Sequence, residues 1–147
     1  MRVAVSGHGL VCALGSSVEE VWPRLVQGER VIGPLTLFDT SQQRTHLAAQ
    51  LPFDPEKLVG PIEGVAAKAP WSRSDYMALL AAREALAEAG LDPKTTRCGL
   101  VVGGTTGGMF ETEGLLARMH AEPCARLPEQ AMLSHPLSAT VDRLESV

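Results

Sequence analysis

A continuous apolar run, Cys98-Gly-Leu-Val-Val102, leads directly into the glycine-rich stretch Gly103-Gly-Thr-Thr-Gly-Gly108, and a helix-competent segment from Met109 to His120 follows. A run of that kind suits a strand buried on both faces, which demands helices on either side of its sheet. The chain opens in a similar way, because Val3-Ala-Val-Ser6 is a short apolar run closed by Gly7 and Gly9. Strand runs alternating with helical segments predict an α/β fold.

The helices announce themselves by their ends. Ser16 and Ser17 are each followed three residues later by a glutamate, Glu19 and Glu20, a doubled capping-box signature that starts a helix at Ser16 or Ser17. It runs toward Gly28, which can take the left-handed position after a helix. Pro23 falls inside it, so a bent or short helix is expected. Between residues 29 and 70 the pattern is less regular. Thr45-His-Leu-Ala-Ala-Gln-Leu51 can form a strand, and Asp54-Pro55-Glu56 reads as a cap with proline at the first helical position. Residues 60–70 carry two prolines and two glycines and read as an extended surface loop.

Ser72 and Asp75 form another cap pair, and Tyr76 to Ala89 contains almost no helix breaker. Arg83, Glu84 and Glu88 make its narrow polar stripe, which predicts a mostly buried helix between layers, stopped by Gly90 and Pro93. Pro123 to Pro128 reads as a loop and Leu137 to Leu144 as the start of a further helix. No internal repeat or low-complexity segment is present.

Composition narrows the function classes. At 147 residues, 45% of them hydrophobic, the chain can bury a core as one domain. Only 4% are aromatic, so that core must be built from Leu, Val and Ala. A net charge of −4 without a basic cluster disfavours a nucleic-acid partner. Cys12, Cys98 and Cys124 are too few and too scattered for a disulfide framework and form no metal-binding pair, which fits reduced thiols. No stretch approaches the roughly 20 apolar residues that span a bilayer, and Arg2 precedes a strand pattern rather than a signal peptide's apolar core. A cytoplasmic location without a membrane partner is expected.

No local chemistry stands out. Glycines 103–108 depart from both the dinucleotide fingerprint and the P-loop, so tight packing is the better reading than phosphate binding. His8, His46, His120 and His135 have no ligand spacing and read as surface or satisfied loop residues. Cys12 sits in a glycine-flanked turn near a helix start, yet no base lies near it in sequence, so a small packing residue is expected.

Taken in order, these segments resemble the N-terminal half of a β-ketoacyl-acyl-carrier-protein synthase, a thiolase-fold condensing enzyme. The opening Val-Ser-Gly-His-Gly-Leu-Val-Cys-Ala-Leu-Gly matches that family at Gly7, Gly9, Leu10, Val11, Leu14 and Gly15, and Ser17-Val-Glu-Glu-Val-Trp22 is similar to its first helix. Gly33-Pro-Leu-Thr-Leu-Phe-Asp39 resembles its G-P-I-T-x-F-D segment. Ala81-Ala-Arg-Glu-Ala-Leu-Ala-Glu-Ala-Gly-Leu91 resembles a conserved helix of the family, and residues 99–108 its glycine-ended strand and loop.

The resemblance implies a layered αβαβα architecture, of which residues 1–147 would be a partial, N-terminal domain, usually dimeric. It implies decarboxylative Claisen condensation of an acyl thioester with a malonyl-carrier protein, in fatty acid or polyketide synthesis. Acyl carrier protein is thus an expected partner. So is a second copy, a ketosynthase C-terminal half or a full-length ketosynthase. The T-A-C-x-x-G-type turn of the nucleophile and the histidine and lysine motifs of the family are not in this sequence. No catalytic residue is therefore assigned, no metal or cofactor is expected, and the chain is expected to be inactive alone; a non-catalytic subunit pairing with an active ketosynthase is the alternative. One position carries over: Thr106, at the variable place of the glycine loop that faces the acyl pocket, where the family usually has a larger apolar residue.

Overall fold

A computed structural model describes residues 2–64, 70–124, 126 and 129–147. The chain forms a mixed α/β domain and divides into two units, Met1–Asp54 with Leu80–Asp92, and Pro55–Leu79 with Pro93–Val147.

In the first unit, α1 spans Val18–Val26. Ser17 is the cap, accepting from the Glu20 amide at 3.3 Å. Glu20 reaches back one residue further than a capping box requires, taking the Ser16 amide at 2.8 Å and its hydroxyl at 3.0 Å. Pro23 lies inside the helix, which is short, as expected. Its end is a Schellman closure: with Gly28 at φ 72°, the Gly28 amide donates to Leu25 and the Glu29 amide to Arg24, each at 3.0 Å. Arg24 and Glu29 reinforce it with a two-pronged ion pair at 2.7 and 2.5 Å, and the Arg24 guanidinium also holds the Leu14 carbonyl. Leu14 and Val21 are the buried apolar residues of this unit among those described.

Two very short strands, β1 (Gly33–Pro34) and β2 (Leu47–Ala48), pair antiparallel with Gly33 opposite Ala48 and Pro34 opposite Leu47. The strand expected over residues 45–51 is thus limited to its centre. The Gln50 side chain staples the outgoing arm, accepting from the Thr36 and Leu37 amides at 3.0 and 3.1 Å.

The long helix α3, Arg73–Ala89, begins in the second unit and ends in the first. Its first-unit part explains why Gly7 and Gly9 are glycines. A Cβ on Gly7 would overlap the Ala85 carbonyl, and one on Gly9 the Ala81 carbonyl. Two residues of the opening segment therefore match four residues of helix in the reverse direction, so the segment runs antiparallel along α3 in backbone contact. The carboxylates follow the same spacing: Glu88 accepts from the His8 amide at 2.7 Å and Glu84 from the Leu10 amide at 2.9 Å. Glu84 also takes the Val18 amide at 2.7 Å, an open donor in the first turn of α1.

The expectation of a mostly buried α3 is corrected. Asp75 and Leu79 are its buried residues, and most of the rest is half-buried. Glu84 and Glu88 of its polar stripe bind loop amides.

In the second unit, α2 (Pro55–Val59) starts with proline at its first position, as expected. The loop expected over residues 60–70 lies partly outside the described residues, as does that over 123–128. Helix α4 (Met109–Ala121), a 3-10 turn at Glu129–Met132 and α5 (Ser138–Glu145) complete the unit. Among the described residues, Pro55, Leu79, Leu115 and Ala139 are its buried apolar residues.

The two expected buried strands are also corrected. Residues 3–6 and 98–102 belong to no strand, and among the described residues their backbones have no ladder partner. Val3, Val5 and Val101 are 86, 88 and 96% exposed. An apolar, β-branched run becomes a strand only when a neighbour supplies the facing hydrogen bonds. No helix of the described residues is long and apolar enough to cross a membrane.

Candidate functional site

The glycine loop belongs to the second unit, where it enters α4. Thr106 is exposed, whereas Gly107 and Gly108 behind it are buried. A Cβ on Gly107 would overlap the carbonyl of His135, and one on Gly108 would meet the side chains of Ser134 and Ser72 at 2.8–3.0 Å. The Gly108 amide donates to the Ser134 carbonyl at 2.7 Å. These glycines are required by close packing, as expected.

Behind the loop lies a buried polar cluster. Ser72, Asp75, Thr112, Ser134 and Thr140 are each 6% exposed or less. Ser72 and Asp75 make the expected reciprocal cap: the Ser72 amide donates to the Asp75 carboxylate at 2.8 Å, and the Asp75 amide to the Ser72 hydroxyl at 3.2 Å. The second carboxylate oxygen of Asp75 receives the Thr140 hydroxyl of α5 at 2.5 Å. Thr112 donates to the Gly108 carbonyl one turn back at 2.8 Å, and its oxygen lies 3.1 Å from His135 Nδ1. Glu111 takes the Arg73 amide at 2.8 Å, and Arg143 donates to the Pro70 carbonyl at 3.0 Å. The whole arrangement supports the loop that carries Thr106 and offers no activated nucleophile.

Of these residues, the local sequence disclosed Ser72 and Asp75 through their spacing. Thr112, Ser134, His135 and Thr140 had no local signal, since their partners lie far away in the chain or depend on the loop's path. His135 is a satisfied loop residue, as read from sequence. His8 is exposed, with Nδ1 2.6 Å from Glu88 Oε2, and His46 contacts the Thr40 hydroxyl at 3.1 Å.

The three thiols are free; Cys12 is half-buried, and Cys98 and Cys124 are exposed. Cys12 is fixed by a tight turn in which its amide and that of Gly15 exchange bonds at 2.9 and 3.1 Å. Among the described residues, no histidine is hydrogen-bonded to any of these thiols, and no three metal-ligating side chains cluster.

Residues 1–140 match the family described as β-ketoacyl synthase, N-terminal domain, and the chain belongs to that family. It is 31% identical over 115 residues to the tetracenomycin polyketide synthase ketoacyl synthase alpha subunit of Streptomyces glaucescens, covering 72% of this chain and 26% of that protein. Identity to the 3-oxoacyl-(acyl-carrier-protein) synthase 2 of Coxiella burnetii is 33% over 115 residues, or 74% and 26% of the two chains. The oxytetracycline polyketide putative β-ketoacyl synthase 1 of Streptomyces rimosus is 34% identical over 114 residues, 74% and 25%. The chain spans about a quarter of the length of these curated relatives.

Proposed function

We propose that this chain supplies the N-terminal part of a β-ketoacyl-acyl-carrier-protein synthase with a layered αβαβα fold, in fatty acid or polyketide synthesis. The observation that carries this reading is the family match over residues 1–140. In the reaction, a thiolate attacks an acyl thioester and the donor thiol leaves. Malonyl-carrier protein then loses carbon dioxide, and the resulting carbanion attacks the acyl-enzyme, forming the β-ketoacyl product and releasing the thiolate. Such a thiolate needs a base or a comparable stabilising group, and its oxyanion intermediates need paired donors. Among the described residues Cys12, Cys98 and Cys124 have no hydrogen-bonded histidine, which supports assigning the nucleophile to a further polypeptide segment and residues 1–147 to framework and pocket wall.

Thr106 is the wall residue: exposed at the head of a loop whose rear is packed, it presents a small, polar side chain to the acyl group. Exposed Val3 and Val5, together with Trp22, Leu25 and Val26 of α1, give the first unit apolar surface for a ketosynthase C-terminal half or a second copy. Acyl carrier protein is the substrate-delivering partner. The test is to mix the chain with purified ketosynthase C-terminal halves and assay condensation of acyl- and malonyl-carrier protein. Activity in the mixture and none in either part supports the reading. Stable capture of a full-length ketosynthase, with no activity in any mixture, would instead identify a non-catalytic subunit.

A further inference from the structure

We propose that His135 and Thr112 are positioning residues that clamp the rear of the glycine loop and so set where Thr106 stands; the specificity role rests on Thr106 being the acyl wall. The Thr112 hydroxyl has one proton. At 2.8 Å from the Gly108 carbonyl, that proton is committed to the bond one turn back along the chain. The contact from Thr112 Oγ1 to His135 Nδ1, at 3.1 Å, therefore requires the ring to be the donor. His135 thus carries its proton on Nδ1, and the chain of bonds runs from the imidazole through the threonine to the loop carbonyl.

The preceding peptide, which carries the amide of the same residue, is held as well. The Gly108 amide donates to the Ser134 carbonyl, next in sequence to His135, at 2.7 Å. Gly107 is pressed on the carbonyls of His135 and Pro136. Segment 134–136 therefore grips Gly108 through both its amide and its carbonyl, the second grip passing through two side chains. The front of the loop is more open: among the described residues, nothing lies within 4 Å of a would-be Cβ on Gly103, and one on Gly104 would meet the Leu137 side chain and the Thr106 carbonyl. Loosening the rear would free Thr106 to move and widen the range of acyl groups accepted.

Amide hydrogen exchange of Gly107 and Gly108 in the intact chain tests the clamp. His135→Ala and Thr112→Val should each speed exchange at these amides about tenfold, and the double variant should add little, since both break one relay. Thr112→Ser and His135→Asn should restore slow exchange; an asparagine amide nitrogen can stand where Nδ1 stands, which a merely space-filling role would not reward. Unchanged exchange in His135→Ala, or His135→Asn behaving like His135→Ala, overturns the clamp. In the complemented assembly, acyl-pantetheine thioesters of increasing length provide the second readout. Specificity in kcat/KM should broaden in His135→Ala through KM, and return in His135→Asn. Altered exchange with an unchanged length profile would preserve the clamp and overturn both the wall assignment and the specificity role.

Discussion

In the first unit, the side chains that fix the loops are at least partly in solvent: Glu84 and Glu88 hold the amides of residues 8, 10 and 18, Glu20 holds Ser16, and Glu29 pairs with Arg24. In the second, Ser72, Asp75, Thr112, Ser134 and Thr140 serve that purpose from complete or near-complete burial. Exposed ionic contacts are screened and individually weak, whereas a buried polar group left without its partner bears its full desolvation cost. The first unit should therefore tolerate loss of single carboxylates and rely on its glycine–helix contact. The second should be sensitive at single polar atoms.

The largest effect is expected where backbone meets backbone. Gly9→Val would drive a side chain into the Ala81 carbonyl of α3 and pull Leu10 and Val18 from Glu84, at a cost of about 3 kcal/mol in urea denaturation. Gly114→Ala in α4, with no described residue within 4 Å of its Cβ position, should instead stabilise by roughly 0.5–1 kcal/mol. A small effect of Gly9→Val would break the account of the first unit.

Asp75→Ala against Glu88→Ala puts the comparison directly. Without Asp75, the Ser72 amide and Thr140 hydroxyl are left buried and unpaired, for a loss of about 2–3 kcal/mol. Glu88 is 48% exposed at its side chain, and its removal should cost no more than about 1 kcal/mol. Equal losses would erase the distinction between the units. Ser17→Ala, removing the α1 cap, should cost about 1 kcal/mol.

The smallest effect is that of pH. The Ser16 backbone and then hydroxyl bonds hold Glu20 below its ordinary pKa; Arg24 does the same for Glu29, and the Ser41 amide and then hydroxyl for Asp39. Since these groups titrate lower when folded, their stabilisation is fully present above the ordinary values of 4.5 and 3.8. It is lost as pH falls through the folded values. Carboxylate NMR titration should show the depressed midpoints, and the denaturation midpoint should be level above that window and decline within it.

The helix ends were legible because capping chemistry is local. Ser17, Gly28, Pro55, Ser72 and Gly90 all sit within a few residues of what they satisfy. Gly90 even repeats the Gly28 closure, with the Leu91 amide reaching Leu86 at 3.0 Å. The strands were not legible to the same degree. The apolar pattern of residues 3–6 and 98–102 gives a preference, but the ladder that realises it must come from elsewhere. The candidate site was least legible: Thr140 meets Asp75 across 65 residues, and His135 meets Thr112 across 23, with no periodicity connecting them. Ser72 and Asp75 were named through their cap spacing, and Thr106 through a family resemblance rather than its own chemistry.

In the proposed assembly, this chain provides framework and pocket wall to a condensing enzyme whose nucleophile lies on another segment. Peptide mapping by mass spectrometry, after loading the assembled enzyme with an acyl-pantetheine thioester, tests it most directly. The account predicts acylation of a cysteine outside this chain, with loading unaffected by replacing Cys12, Cys98 and Cys124 together with serine. An acyl group mapped to Cys12, Cys98 or Cys124, removed with condensation activity by that cysteine's replacement, would contradict it.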